Sequence, residues 1–151
     1  MKKYGLVFLG VLIFLSSGCG NREDESESCY FLDRLKLKLS SEWQLKSNSF
    51  SKAPEQEYIF TFTNKLRHEI NIHNWHEGTT IDRGPMMIAD ETPIMVAGVK
   101  TKLVRTTMFF GNNEKVLAVH LKKGKERYLI YTANMSDNDF KQVLNRVYFV
   151  D

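Results

Sequence analysis

The stretch Val116-Leu117-Ala118-Val119-His120-Leu121-Lys122-Lys123-Gly124-Lys125-Glu126-Arg127-Tyr128-Leu129-Ile130-Tyr131, followed by Ser136-Asp137-Asn138-Asp139-Phe140, decides the fold class. Val116, Ala118 and His120 alternate with Leu117, Val119 and Leu121, the period-two signature of a strand. Lys122 to Lys125 supplies a turn around Gly124, and Glu126 to Ala133 returns as a second strand. Ser136 is a helix N-cap, with Asp137 and Asp139 in the first turn, where the helix dipole favours negative charge. Phe140, Val143, Leu144 and Val147 fall at the spacing of one apolar helical stripe. A hairpin followed by a helix with one apolar face predicts an α+β domain, mainly antiparallel β-sheet with a C-terminal helix packed on one face.

Working back toward the N-terminus, the strand pattern repeats. Ile94 to Phe109 reads as one extended run, with Val99, Thr101, Leu103, Arg105 and Thr107 alternating and a bulge or kink at Gly98. Gly111-Asn112-Asn113 reads as a turn. Tyr58, Phe60 and Phe62 against Ile59, Thr61 and Thr63 form a strand rich in aromatic and β-branched residues. Asn64-Lys65 turns it into a returning strand from Glu69 to Trp75. Leu35, Leu37 and Leu39 alternate with Lys36, Lys38 and Ser40, a half-buried strand; Ser41-Glu42 turns it into a short extended piece at Trp43 and Leu45. Residues 46–57, polar and broken by Pro54, read as a loop. Residues 77–91, with Gly84-Pro85, read as irregular, with Met86, Met87 and Ile88 in one buried turn. Tyr148-Phe149-Val150 reads as a last short strand.

The first residues have a different character. Lys2 and Lys3 precede an apolar run from Leu6 to Leu15, broken by Gly10, then Ser16-Ser17-Gly18-Cys19. A run of about ten residues is too short to span a bilayer, which takes roughly 20. Basic start, short apolar run and small-residue exit make residues 1–18 a secretory signal. Gly20 to Ser28 holds acids and no apolar residue, so 19–31 reads as an acidic flexible tether and 32–151 as a single globular domain.

Removing Lys2 and Lys3 lowers the formal charge from +3 to near +1, so basicity is no argument for nucleic-acid binding.

The small residues before Cys19 resemble the lipobox of bacterial lipoproteins, with Ser16 where that pattern prefers leucine. The resemblance implies that Cys19 carries a diacylglycerol and an N-acyl chain and becomes the mature N-terminus. Several acyl chains anchor stably where one holds weakly. The chain would then sit on the cell membrane or outer membrane with its domain outside the cytoplasm. Gly20, rather than Asp, after the cysteine implies the outer membrane in a two-membrane organism. With Cys19 a thioether, Cys29 has no intramolecular disulfide to join and reads as a bystander in the tether.

The order of the folded part resembles the PsbP-like superfamily: a leading strand entering Trp43, a sheet meander, a glycine-containing strand, a hairpin ending near Tyr131 and a closing helix from Ser136. That resemblance covers residues 32–150. The superfamily usually places a helix between its middle strands, where this chain has the stretch containing Gly84-Pro85. Its members differ in function, so a fold is implied and an activity is not.

Motifs of chemistry are sparse. His68, Glu69, His73, His76 and Glu77 are the main concentration of metal-ligand types. On a strand His68 and His76 share a face but stand roughly 27 Å apart at about 3.3 Å per residue, and His73 points the other way. The spacing is not that of a zincin, and no nucleophile elbow, phosphate loop, Cys-x-x-Cys pair or EF-hand occurs. His120 reads as a hydrogen-bonded strand histidine. Trp75 and the Phe109-Phe110-Gly111 tip read as strand-end core residues, or else as aromatic anchors for a partner. The sequence thus predicts no enzyme, no cofactor and no metal. It predicts a lipid-anchored envelope protein that binds another protein, as an accessory subunit or in the manner of a toxin-immunity protein. The alternative is an envelope lipoprotein that binds a small ligand, or a metal at His73 and His76.

Overall fold

Leu35, Leu37 and Leu39 are all but inaccessible to solvent, and what they pack against is the key to the architecture. In the computed structural model, which describes residues 27–51, 57–75, 86–108 and 115–150, they lie between two antiparallel sheets. The smaller has three strands: β1 (Glu27–Leu32), β2 (Leu35–Ser40) and β10 (Val147–Phe149), in the order β1-β2-β10. The larger has seven: β3 (Gln44–Ser51), β4 (Glu57–Thr63), β5 (Glu69–Trp75), β6 (Met86–Val96), β7 (Val99–Met108), β8 (Lys115–Lys123) and β9 (Glu126–Thr132). Their order is β3-β4-β5-β9-β8-β7-β6. Two meanders therefore meet where β5 pairs with β9, Ile72 opposite Ile130.

Alternation puts one face of each strand into a shared core. The larger sheet contributes Phe60, Phe62, Ile70, Ile72, Leu103, Val119, Leu121, Tyr128 and Ile130, and the smaller its three leucines with Leu32 and Val147. Each leucine buried in this way contributes about 1.5–3 kcal/mol. Two contacts join the layers directly. Tyr30 meets Phe62 edge to face at 4.8 Å between centroids, and the Tyr128 hydroxyl donates to the Leu32 carbonyl at 3.3 Å.

The predicted α+β arrangement, with a helix as the layer that covers the sheet, is not what forms. Strands dominate the described residues, and the helix α1 (Asp137–Leu144) has eight residues. At about 1.5 Å per residue it is roughly 12 Å long, whereas seven strands about 4.8 Å apart make a sheet roughly 29 Å wide. Such a helix cannot cover such a sheet. The three-stranded sheet does most of it, and Phe140, Val143 and Leu144 of α1 join the same core.

The N-cap at Ser136 forms as predicted: its Oγ accepts from the Asp139 amide at 3.2 Å and donates to the Asp139 carboxylate at 2.6 Å. The run from Ile94 is corrected: instead of one kinked strand it is two, joined by Ala97 and Gly98 with φ of 51° and 75°. Two consecutive left-handed residues make the tight turn whose twist suits a hairpin. The predicted turn at Gly124 has φ 63°, and the last short strand is β10.

Three strands extend into stretches that read otherwise. β1 takes in residues 27–31 of the predicted tether, β3 runs into the predicted loop, and β6 starts at Met86 within the stretch read as irregular. The predicted signal segment, Cys19 and the Gly111-Asn112-Asn113 turn lie outside the described residues.

Candidate functional site

The histidines are the first place to look. His73 points to the face of the larger sheet opposite its core neighbours Ile72 and Asn74. It is in register with Leu129, and Leu129 with His120, so the two histidines share that face with β9 between them. At about 4.8 Å per strand their Cα atoms stand roughly 10 Å apart. The Thr101 hydroxyl donates to the His120 carbonyl at 2.6 Å. His76 and Glu77 lie outside the described residues, so the His73–His76 pair of the sequence reading has no placement. Among the described residues no group of three or more His, Cys, Asp and Glu side chains could hold a metal ion. Trp75 ends β5, and Phe109 and Phe110 lie outside the described residues.

Two surface features stand out instead, at opposite ends of β9. The first is the β4–β5 turn. Asn64 Oδ1 accepts from the Leu66 amide at 3.0 Å and from the His68 amide at 2.9 Å. The Asn64 carbonyl accepts from the Arg67 amide, and the Asn64 amide donates to the His68 carbonyl. Asn134, just beyond β9, closes the frame: its Nδ2 donates to the Arg67 carbonyl at 2.7 Å and its Oδ1 accepts from the Glu69 amide at 2.9 Å. Asparagine suits both places because its short amide can bond nearby backbone. Arg67 is held at φ 62°, a left-handed conformation that a non-glycine residue adopts when its surroundings impose it. From this frame Leu66 projects, 72% exposed. A lone exposed leucine is ordinary; one mounted on a turn held by both asparagines is pre-organised for contact.

Near the same end, Arg105 of β7 ties α1 to β6. Its Nε donates to Asp137 at 2.9 Å, its Nη2 also pairs with Asp137, and its Nη1 reaches Asp90 at 2.7 Å and Thr92 at 2.9 Å. The hydrogen bond donated to Asp137 raises the guanidinium pKa above its ordinary value; burial opposes this, and the charges of Asp137 and Asp90 reinforce it. Arg105 is thus a fixed cation that holds the helix start in place.

The second feature is the outer face of the small sheet. Phe31, Lys36 and Tyr148 stand in register across β1, β2 and β10. Phe31 is 41% and Tyr148 43% exposed, and Val150 beyond β10 is also exposed. Lysines lie over these strands' rings: Lys36 Nζ 5.5 Å from the Phe31 centroid, Lys38 Nζ 5.7 Å from Tyr148, and Lys123 Nζ 5.1 Å from Phe149. Lys123 belongs to the exposed β8–β9 hairpin, so the lysines of that tip stand beside β10. Cys29 is a half-buried thiol on the same outer face, in register with Lys38.

The sequence reading misses both features. A leucine inside an otherwise polar turn is the signal for the first. For the second, the Lys-Leu-Lys-Leu alternation of β2 is read, but its exposed aromatic partners sit on strands that pattern alone assigns weakly or not at all. The Arg105–Asp137 pair, 32 residues apart, leaves no local signal.

No protein-family model matches the chain, and no curated protein matches it. Among solved structures, cyanobacterial PsbP (CyanoP) from Synechocystis sp. PCC 6803 superposes with a TM-score of 0.57, covering 89% of this chain and 99% of that one. The chain is similar in fold to PsbP. Sequence identity to that PsbP is 10%, so the likeness is one of fold alone.

Proposed function

We propose that this chain is a lipid-anchored protein of the bacterial cell envelope that acts by binding another protein rather than by catalysis. The observation that carries the binding role is the β4–β5 turn, where Asn64 and Asn134 fix the backbone under an exposed Leu66. An apolar side chain whose ordering cost is met before contact is the kind of anchor on which protein interfaces depend. The anchored address rests on the order of charge, apolar run and small residues leading to Cys19. A tether of that sort raises the effective concentration of the turn near membrane partners. An accessory-subunit or toxin-immunity role fits such a protein.

The two halves of the proposal have separate tests. Cys19→Ala should abolish incorporation of labelled fatty acid and release the chain from the detergent phase; continued labelling refutes the anchor. For the binding role, the lipidated chain is affinity-purified from its own membranes beside Leu66→Ser. The expected result is a stoichiometric partner whose recovery falls at least tenfold with Leu66→Ser, while the melting temperature is unchanged. Equal recovery with both forms, or no partner at all, overturns this reading.

A further inference from the structure

We infer that the outer face of the small sheet, bearing Phe31, Lys36, Lys38, Tyr148, Val150 and the neighbouring Lys123, docks on an anionic lipid surface, so that the domain lies against the membrane instead of swinging freely from its anchor. The inference rests on the anchored reading above and names the surface that the domain turns toward the bilayer.

Three observations point the same way. The first is chemical. Each exposed ring has a lysine over it, Phe31 under Lys36 and Tyr148 under Lys38. Aromatic rings with ammonium groups beside them suit the headgroup layer: the ring enters the interface while the flexible lysine stem lets the charge swing to phosphate.

The second is place. Three of the five large exposed apolar side chains of the described residues, Phe31, Tyr148 and Val150, belong to β1, β10 and the residue after β10. Lys36 and Lys38 of β2 stand over the two rings, and Lys123 of the β8–β9 hairpin stands over Phe149, next to Tyr148 in β10. Leu66, by contrast, stands at the far end of β9, on the β4–β5 turn.

The third is reach. The described residues begin at Glu27, the first residue of β1, on an edge of this same sheet. Residues 20–26 extend to roughly 25 Å at most. Phe31 lies about 13 Å along the strand from Glu27 at about 3.3 Å per residue. The segment is therefore long enough to let Cys19 and Phe31 enter one leaflet together.

The test uses the full chain in its membranes, with a photoreactive benzophenone side chain placed at position 31, 148 or 66. Phospholipid adducts are expected from 31 and 148 at a yield at least tenfold above 66. With the full chain on vesicles of phosphatidylcholine containing phosphatidylglycerol, replacing Lys36, Lys38 and Lys123 by Gln should lower the yield at 148 by about fivefold per lysine, and replacement by Arg should preserve it. Adducts to a discrete protein at 31 and 148, equal lipid yield at 66, or equal yield on phosphatidylcholine alone overturns the docking. Labelled fatty acid on Cys19 without lipid adducts at 31 and 148 defeats the docking and leaves the anchor. Adducts to anionic vesicles from a chain without acylation do the reverse.

Discussion

The two ends of β9 differ in how they meet the surroundings. At the β4–β5 end, two asparagines spend their amides on backbone, and one leucine is left projecting from a polar frame. At the β8–β9 end, the backbone is ordinary hairpin and the surface is broad, with exposed rings under lysines across three strands. The ends are about 20 Å apart along β9 at roughly 3.3 Å per residue. A fixed apolar point suits a protein pocket; a soft amphipathic plane suits lipid headgroups. One molecule that holds both can face a membrane and a partner at the same time.

The largest effect should fall on both ends together, because they share one core. Phe140 is fully buried in that core although it comes from the short helix. Phe140→Ala should cost about 3–5 kcal/mol, measured by denaturant unfolding. It should lower the exchange protection of β2 and β5 amides alike. A loss below about 1 kcal/mol would place the helix outside the shared core and break the description of two layers with one interior.

Asn134→Ala should separate the ends. It removes the bonds to the Arg67 carbonyl and the Glu69 amide, and each such bond contributes about 0.5–1.5 kcal/mol. The total loss expected is about 1–3 kcal/mol, with partner recovery falling as for Leu66→Ser and lipid adducts at position 148 unchanged. If lipid adducts fall in step with partner recovery, the two ends are not independent.

How far the sequence could be read depended on where each strand lies in its sheet. Central strands β4, β5, β8 and β9 bury one face fully, so Phe60, Phe62, Ile70, Ile72, Leu121 and Ile130 alternate cleanly with polar or half-buried neighbours. β1, β3 and β6 are all sheet edges. An edge strand needs fewer apolar residues and is kept from pairing with other chains by charge and proline. Hence Glu-Ser-Cys reads as tether, Lys-Ser-Asn-Ser as loop, and Asp90 and Glu91 as irregular, although all three segments are strand. The helix was legible from its cap and its stripe, but its share of the covering layer was not. That share depends on β1, which supplies Tyr30 and Leu32 to the interior and was read mostly as tether. Neither surface feature was legible, since each joins residues that only the pairing of strands brings together.

The smallest change should sharpen the lysine-bearing end alone. Tyr128→Phe deletes the hydroxyl that donates to the Leu32 carbonyl, the bond that holds the β1–β2 corner to β9. Near neutral pH the cost should be about 1 kcal/mol. Burial raises the Tyr128 phenol above its ordinary value of 10.0, with the charges of Asp33 and Glu126 adding to the rise and Arg34 opposing it. Burial raises Tyr131 as well. Below about pH 10 both phenols are protonated in the folded and unfolded chains, so neither makes stability depend on pH. Above it the unfolded chain releases the Tyr128 proton while the folded chain keeps it, so stability falls as pH rises, by up to about 1.4 kcal/mol per pH unit, and Tyr131 acts in the same direction. Tyr128→Phe should remove its contribution and so flatten the alkaline slope in denaturant titrations between pH 10 and pH 11. An unchanged slope would mean that Tyr128 is as accessible folded as unfolded, and that the small sheet is not pinned at this corner.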